Sequence, residues 1–306
     1  ARPAVGCAAG GGGLSVRPDV VQTLLPLALA FIMFYLGLTL VIGDFRQVAL
    51  RPKALAVGLV GQVLLVPLAG FAVVQLSGLD PVMAVGLMVL AACPSGVSSG
   101  LLTHLARGDT ALAISLTAVT SLASVVTLPL VVGAAYQVFM ASQLAVQLPV
   151  AAMVKGIFEL TTLPVLLGMV LRWRFAPTVM RVEPTIGKVT TALFVLIVLN
   201  TFWDQRQVLL DNLPTLGPAV VVLNVLILGG AYVLSCMTGL TRRDRIAVIT
   251  ECGLKNSALG IVVSLQWLQQ PAMSAPSVVY ALSMNAFALT FVVLMRKTVN
   301  WQPCNA

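Results

Sequence analysis

The sequence predicts an all-α membrane protein of nine transmembrane helices, two of them broken. Composition is the first observation behind this. Of 306 residues, 59% are hydrophobic and only 9% charged, with a mean hydropathy of +1.01. A soluble domain carries about a quarter charged residues, so most of this chain is solvated by lipid. The second observation is that the basic residues fall in alternate connections between apolar runs. The third is that two runs carry helix breakers at corresponding places in the two halves of the chain.

Apolar runs of about twenty residues mark the spans. In order they lie near 20–43, 53–76, 81–104, 109–137, 148–171, 186–203, 213–239, 245–268 and 275–295. Arg46, Arg51 and Lys53 follow the first span, and Arg107 the third. Arg172, Arg174, Arg181 and Lys188 follow the fifth, Arg242, Arg243 and Arg245 the seventh, and Arg296 and Lys297 the ninth. The other side holds Arg206 together with Arg2 and Arg17 of the N-terminal segment. Thirteen basic residues against three give a positive-inside asymmetry, with the N-terminus out and the C-terminus cytoplasmic. Trp173, Trp203, Trp267 and Trp301 stand at span ends, as interfacial anchors should.

No soluble domain is inserted between the spans. Residues 20–297 read as one transmembrane domain, with residues 1–19 a flexible extramembranous tail and 298–306 a C-terminal tail. The opening "ARPAVGCAAGGGG" lacks the basic n-region and apolar core of a signal peptide. The uncharged connection 138–147 and the longer 172–188 divide the domain loosely into two halves. The net charge of +8 is not gathered on one face, so it sets topology and does not point to a nucleic-acid partner. Cys7, Cys93, Cys236, Cys252 and Cys304 lack the spacing of a metal site or redox motif, and no disulfide framework is expected. No H-E-x-x-H or aspartate-rich metal motif is present and the sole histidine, His104, is peripheral, so an intramembrane enzyme is not expected.

The third span contains "LAACPSGVSSGLLTHLARGD" (90–109). Pro94 removes a backbone donor, and Ser95, Gly96, Ser98, Ser99 and Gly100 are poor helix formers. Backbone groups freed in this way must line a cavity enclosed by protein or wet, because lipid offers them no partner. Close packing through the Gly96/Gly100 GxxxG pair is the plainer alternative. The eighth span carries "ITECGLKNSALG" (249–260), where Gly253 and Asn256 stand beside Glu251 and Lys255. Each charge costs about 2.5–3.5 kcal/mol at mid-bilayer on insertion scales. Both interrupted spans are the penultimate span of their half, a pattern that points to a transporter binding substrate and ions at mid-membrane. A structural pair in which Glu251 and Lys255 only neutralise each other is the alternative. Lys155 and Glu159 form a second pair four apart in the fifth span, in the less favourable order; it is read either as a snorkelling surface pair or as part of the transport path. Gln62, Thr117, Asn200 and Asn285 are further polar groups at membrane depth, each singly more often a helix–helix hydrogen bond than a ligand.

Taken together, "FIMFYLGLTLVIGDF", "GLVGQVLLVPLAG", "ACPSGVSSGLLTHLARGDTALAIS", "ECGLKNSALG" and "SVVYALSMNAF" resemble the bile acid:sodium symporter family, in order and at similar spacing. The resemblance implies a core domain and a panel domain, inverted repeats, and two broken helices that cross at the binding site. It implies a first repeat at 20–137 that lacks one helix and a second at 148–297. Carried over, it puts Ser99, Thr117 and Glu251 at one sodium site and Gln62, Glu251 and Lys255 at a second. Pro94, Ser95, Ser98, Asn256 and Asn285 fall around the organic ligand. Three positions depart from the pattern: Gly100 stands where the family has Asn, Ala113 where it has a hydroxyl residue, and Lys255 where it has Gln. Sodium, as a hard cation, wants oxygen ligands, and an ammonium group at the second site would repel it.

The expected function is secondary active transport of an organic anion, bile-acid-like or a small carboxylate, by alternating access. Its partners are the lipid bilayer and that anion. No cofactor is required, and the three departures weaken sodium coupling. A sodium-independent transporter of a metabolite or oxyanion, proton-coupled or uncoupled, and a transport-dead receptor or scaffold are the alternatives. The plasma (inner) membrane is the expected location.

Overall fold

Proline, aspartate and glycine punctuate the apolar runs and set where the helices begin and end. The computed structural model describes residues 18–41, 43, 52–140, 149–204 and 206–297. Helix α1 is Pro18–Thr39 and α2 is Pro52–Ser77. Gly78 ends α2 at φ 62°, a left-handed position that favours glycine. Asp80 starts α3 (Pro81–Ala92) by accepting from the amides of Val82 at 2.8 Å and Met83 at 3.3 Å, and Pro81 takes the first turn, where an amide would lack a partner anyway. After a break comes α4 (Ser98–Leu105), then α5 (Thr110–Phe139), which Asp109 caps through the Leu112 amide at 3.0 Å. Helices α6 (Val150–Arg174), α7 (Ala176–Asp204) and α8 (Arg206–Met237) follow. Thr241 opens α9 (Arg242–Gly253), accepting from the Asp244 amide at 3.3 Å and donating to its carboxylate at 2.7 Å. A second break separates α9 from α10 (Ser257–Trp267); a 3₁₀ turn, Pro271–Ser274, then leads into α11 (Ala275–Lys297).

Two helices change pitch for a local reason. Residues 61–65 of α2 and 158–162 of α6 form π turns, and Pro67 and Pro164 stand just beyond them. A proline leaves the carbonyl one turn earlier without its amide, and a wider turn is one way for the helix to absorb that loss.

Six stretches are long and apolar enough to cross a membrane: α2, α5, α6, α7, α8 and Pro271–Arg296. Leu24–Thr39, Pro81–Ala92 and Ser257–Trp267 are shorter apolar helices. The nine expected spans therefore meet six long helices and three short ones among the described residues. The breaks explain two of the short ones, since each divides a span into halves too brief to cross alone.

Polarity is arranged from the centre outward. Every residue of Asp244–Gly253 and of Ser257–Val262 is buried. Helices α2, α4, α5 and α8 pack around α9, while α10 touches α3 and α11 on one side and α1 and α7 on the other. Helix α1 lies along α6 and α7 as a second group. The outer helices turn Leu68, Leu130, Leu196 and Leu210 outward, as lipid-facing surfaces do. Trp173 and Trp203 are exposed at the ends of α6 and α7. Among the described cysteines, Cys93 and Cys252 are free and buried, whereas Cys236 is disulfide-bonded, which its isolated position in the sequence gave no sign of. The tails 1–17 and 298–306, the connection 141–148, Arg46, Arg51 and Trp301 lie outside the described residues.

Candidate functional site

The two breaks meet. Residues 93–97 and 254–256 leave the helical path, and Cys93 and Leu254 are extended, at φ −63°, ψ 143° and φ −104°, ψ 101°. Ser95 and Lys255 form one antiparallel bridge. The Gly96 amide donates to the Leu254 carbonyl at 2.9 Å, and the Asn256 amide to the Pro94 carbonyl at 2.9 Å. Each break thus supplies the partners that the other lacks, which is how irregular backbone survives in a protein surrounded by lipid. The crossing is close at Gly96, where a Cβ would lie 3.2 Å from the Lys255 carbonyl oxygen and would press on it.

Glu251 sits at the end of α9 with no exposed surface, in a cluster of hydroxyls. Ser95 donates to its Oε2, and the Thr117 hydroxyl lies 3.0 Å from Oε1 and 2.9 Å from Oε2. Ser99 is 3.1 Å from the Thr117 hydroxyl. Three hydroxyls and a carboxylate make an all-oxygen set, the donor type that a hard cation or a proton would use. The two positions expected to complete such a site do not. Ala113 offers only its carbonyl, which accepts from Thr117 at 3.1 Å, and a Cβ at Gly100 would meet Ile114 Cγ1 at 3.2 Å.

Lys255 has its own partners. Its Nζ donates to Gln62 Oε1 at 2.5 Å and to the Cys93 carbonyl at 3.2 Å, and it is 1% exposed. That carbonyl ends α3, where the helix dipole favours a positive charge. Gln62, in the π turn of α2, joins the two halves of the site by donating from Nε2 to the Glu251 carbonyl at 3.0 Å. Glu251 and Lys255 form no ion pair with each other within 4.0 Å. The break is the reason: α9 ends at Gly253, so the four-residue spacing no longer puts both side chains on one helical face.

Of the residues singled out from sequence, Ser95, Ser99, Thr117 and Glu251 come together in one cluster, and Gln62 and Lys255 in the adjoining one. Pro94 and Asn256 lie in the crossing. Ser95 stands with the cation candidates and not apart from them. Asn256 caps α10, accepting from the Leu259 amide at 3.1 Å, and its Nδ2 reaches Met33 Sδ on α1 at 3.7 Å. Ser98 is half-buried in the first turn of α4, whose N-terminus has no side-chain cap. Asn285 is not drawn in by any hydrogen bond; its amide donates to the Ala281 carbonyl of its own helix at 3.1 Å. Asn200 likewise pairs with Asp204 on an exposed face. Lys155 and Glu159 form an exposed pair at 3.8 Å.

Two contributors escaped the sequence reading. Tyr280 is wholly buried and donates to the Gly253 carbonyl at 2.8 Å, holding the broken end of α9. A tyrosine in a buried apolar run was the available signal, since a buried phenol seeks a hydrogen-bond partner. The Cys93 carbonyl had no signal, because every residue carries one.

Comparison with known proteins completes the description. The model of the sodium bile acid symporter family matches residues 26–212. The chain is 30% identical over 271 residues to the probable sodium/metabolite cotransporter BASS1, chloroplastic, of Oryza sativa subsp. japonica, covering 86% of this chain and 64% of that protein. It is 27% identical over 264 residues to the rice protein probable sodium/metabolite cotransporter BASS2, chloroplastic, covering 85% and 61%. With the uncharacterized sodium-dependent transporter YocS of Bacillus subtilis (strain 168) it shares 26% identity over 267 residues, covering 85% and 79%. The chain thus spans 58–65% of the length of these and two further plant relatives.

Proposed function

Because the chain belongs to the sodium bile acid symporter family, we propose that it is a secondary transporter that moves a small or amphipathic organic anion by alternating access. The relatives are named for sodium-linked transport of metabolites, which fits a carboxylate or bile-acid-like substrate. The observation that carries the reading is the crossing. Two broken helices bond to each other there, with Glu251 and Lys255 buried beside the junction on separate partners. Six long helices and three short ones are read as nine passes in inverted repeats, with the α1, α6 and α7 group as the panel and the remainder as the core. The charge asymmetry supports an N-terminus outside and a C-terminus in the cytoplasm, in the plasma (inner) membrane.

The anion would bind near the uncapped N-terminus of α4, with Ser98 and the partial positive charge of the half-helix facing it. Pro94, Ser95, Asn256 and Asn285 complete the proposed substrate region. With Glu251 ionised and Lys255 charged, the empty site is neutral. It is neutral again with one cation at the hydroxyl cluster and one monovalent anion bound, so neither state carries a net charge through lipid.

A second reading concerns coupling and rests on Lys255. Its Nζ takes the Gln62 oxygen and the Cys93 carbonyl, two acceptors of the kind a metal cation would use. The tethered ammonium then replaces the second sodium ion, and Gly100 and Ala113 leave the first site short of ligands. Coupling runs through protons at this site or is absent. Uptake by proteoliposomes, assayed over a panel of carboxylates and bile-acid-like anions with and without sodium and a proton gradient, tests both readings. Uptake of none of the anions would overturn transport in favour of a receptor, and steep sodium dependence would overturn the second reading alone.

A further inference from the structure

Away from the crossing, the structure concentrates positive charge in one recess of about 1210 Å³ at the end read as cytoplasmic. Arg107, Arg242, Arg243 and Arg296 line it, with His104 at its edge. Topology alone asks only that basic residues lie on one side of the membrane, not that four guanidiniums from three connections face a common hollow. Among the described residues none of the four is paired with a carboxylate. Asp109 and Asp244 also line the recess, but both are engaged at helix starts: Asp109 with the Leu112 amide and Asp244 with the Thr241 hydroxyl.

Two of the arginines are held in place by backbone carbonyls. Arg296 Nε donates to the Leu105 carbonyl at 2.8 Å, and Arg242 Nη2 to the Met295 carbonyl at 2.7 Å. Each bond uses one donor of the guanidinium fork and leaves others for a ligand. Arg107 adopts a left-handed backbone at φ 63°, where glycine or asparagine is the ordinary choice. The recess also takes in Thr110 and Ala111, the first turn of α5, and the start of α9, so two helix N-termini border it.

We propose that this recess binds a phosphate group, presented by an anionic phospholipid headgroup or by a soluble phosphate. Guanidinium forks match phosphate oxygens in planar, bidentate geometry, which chloride cannot exploit. The site sits on the outer ends of the two half-helices whose inner ends form the crossing: α4 ends here at Leu105 and α9 begins here. The Asp109 amide already ties the two connections together by donating to the Arg243 carbonyl at 3.0 Å. A phosphate spanning Arg107, Arg243 and Arg296 adds a second tie and stiffens both half-helices. The inference does not depend on the substrate or on coupling at the crossing.

The test uses the full chain purified in detergent. Binding and thermal unfolding are followed with short-chain phosphatidylglycerol in one arm and inorganic phosphate in the other. Short-chain phosphatidylcholine and chloride at equal ionic strength are the controls. Saturable binding that raises the unfolding temperature is expected in at least one arm, and which arm responds identifies the source. Arg107→Gln with Arg243→Gln is expected to weaken that binding by about tenfold or more, since each basic residue near an anionic headgroup is worth about 1 kcal/mol. Arg243→Gln alone provides a milder variant should the double one fold poorly. Absence of saturable binding in both arms, equal effects of the controls, or full binding by the folded variants would overturn the proposal.

Discussion

The molecule contains the same pair of residue types twice at the same spacing, and folds them differently. Lys155 and Glu159 stay on a helix that runs through a π turn, and end as an exposed pair 3.8 Å apart. Glu251 and Lys255 are also four apart, but the chain leaves the helix between them. Each then finds its own partners: hydroxyls for the carboxylate, carbonyl oxygens for the ammonium. Spacing on a helix decides who meets whom only while the helix lasts. In the second pair, giving up the mutual contact leaves both charges solvated by protein and able to interact with something that comes and goes. The buried pair is therefore the one proposed to act in transport, and five substitutions test the contrast.

The largest effect is expected at Glu251. Glu251→Ala removes the only acid of the hydroxyl cluster and leaves Lys255 as an uncompensated buried charge. Uptake in proteoliposomes should fall to background while the protein still inserts and purifies as a folded species. Near-normal uptake would reduce Glu251 to a structural partner. Lys255→Gln comes next. The amide keeps a donor for Gln62 but removes the positive charge that excludes a metal cation, so uptake should become several-fold more sodium-responsive. Partial dependence is the natural outcome, since Gly100 and Ala113 still weaken the other site. Steep sodium dependence of the wild type, unchanged or reduced in Lys255→Gln, would return the chain to ordinary sodium symport.

The contrast between the two pairs was only half legible in the sequence. Pro94 and Gly96, and Gly253 and Asn256, mark the breaks because they act on the backbone itself, within a residue or two of where they stand. The partners of the buried charges could not be read in that way. Gln62 is 193 residues from Lys255 in the chain, and Thr117 is 134 from Glu251. The resemblance to a family grouped these residues; hydropathy and spacing did not. The extended backbone at Leu254, which sends Lys255 away from Glu251, has no residue signature, for leucine adopts helix as readily. Asn285 shows the converse. The resemblance puts this polar residue at membrane depth near the organic ligand, and its amide nitrogen donates within its own helix, which leaves the side-chain oxygen for another partner.

Tyr280 sharpens the comparison at the third level of effect. Its hydroxyl is the partner of the Gly253 carbonyl, the last of α9, in the place where helix α6 would use its own next turn. Tyr280→Phe leaves that buried carbonyl unpaired, which costs about 1–3 kcal/mol. The unfolding temperature in detergent should drop by several degrees, and uptake should fall in proportion to the loosened crossing. An unchanged unfolding temperature would mean that water or another group replaces the phenol, and that the break is held by its backbone bonds alone.

The smallest effect is expected at the first pair, and it is the control for the rest. Lys155→Gln, Glu159→Gln and the double variant remove an exposed, less favourably ordered pair whose side chains are 76% and 53% exposed. Such a pair contributes about 0.5 kcal/mol or less. Its helix packs chiefly on α1 and α5, with smaller contacts to α7 and to the Val263–Trp267 end of α10. Uptake and unfolding temperature should therefore stay close to wild type in all three variants, with no coupling between the two substitutions in a double-mutant cycle. A large loss of uptake in either single variant, without loss of fold, would put a second charged pair on the transport path. The distinction between the two pairs would then fail, because burial and a broken helix would no longer separate the pair that works from the pair that does not.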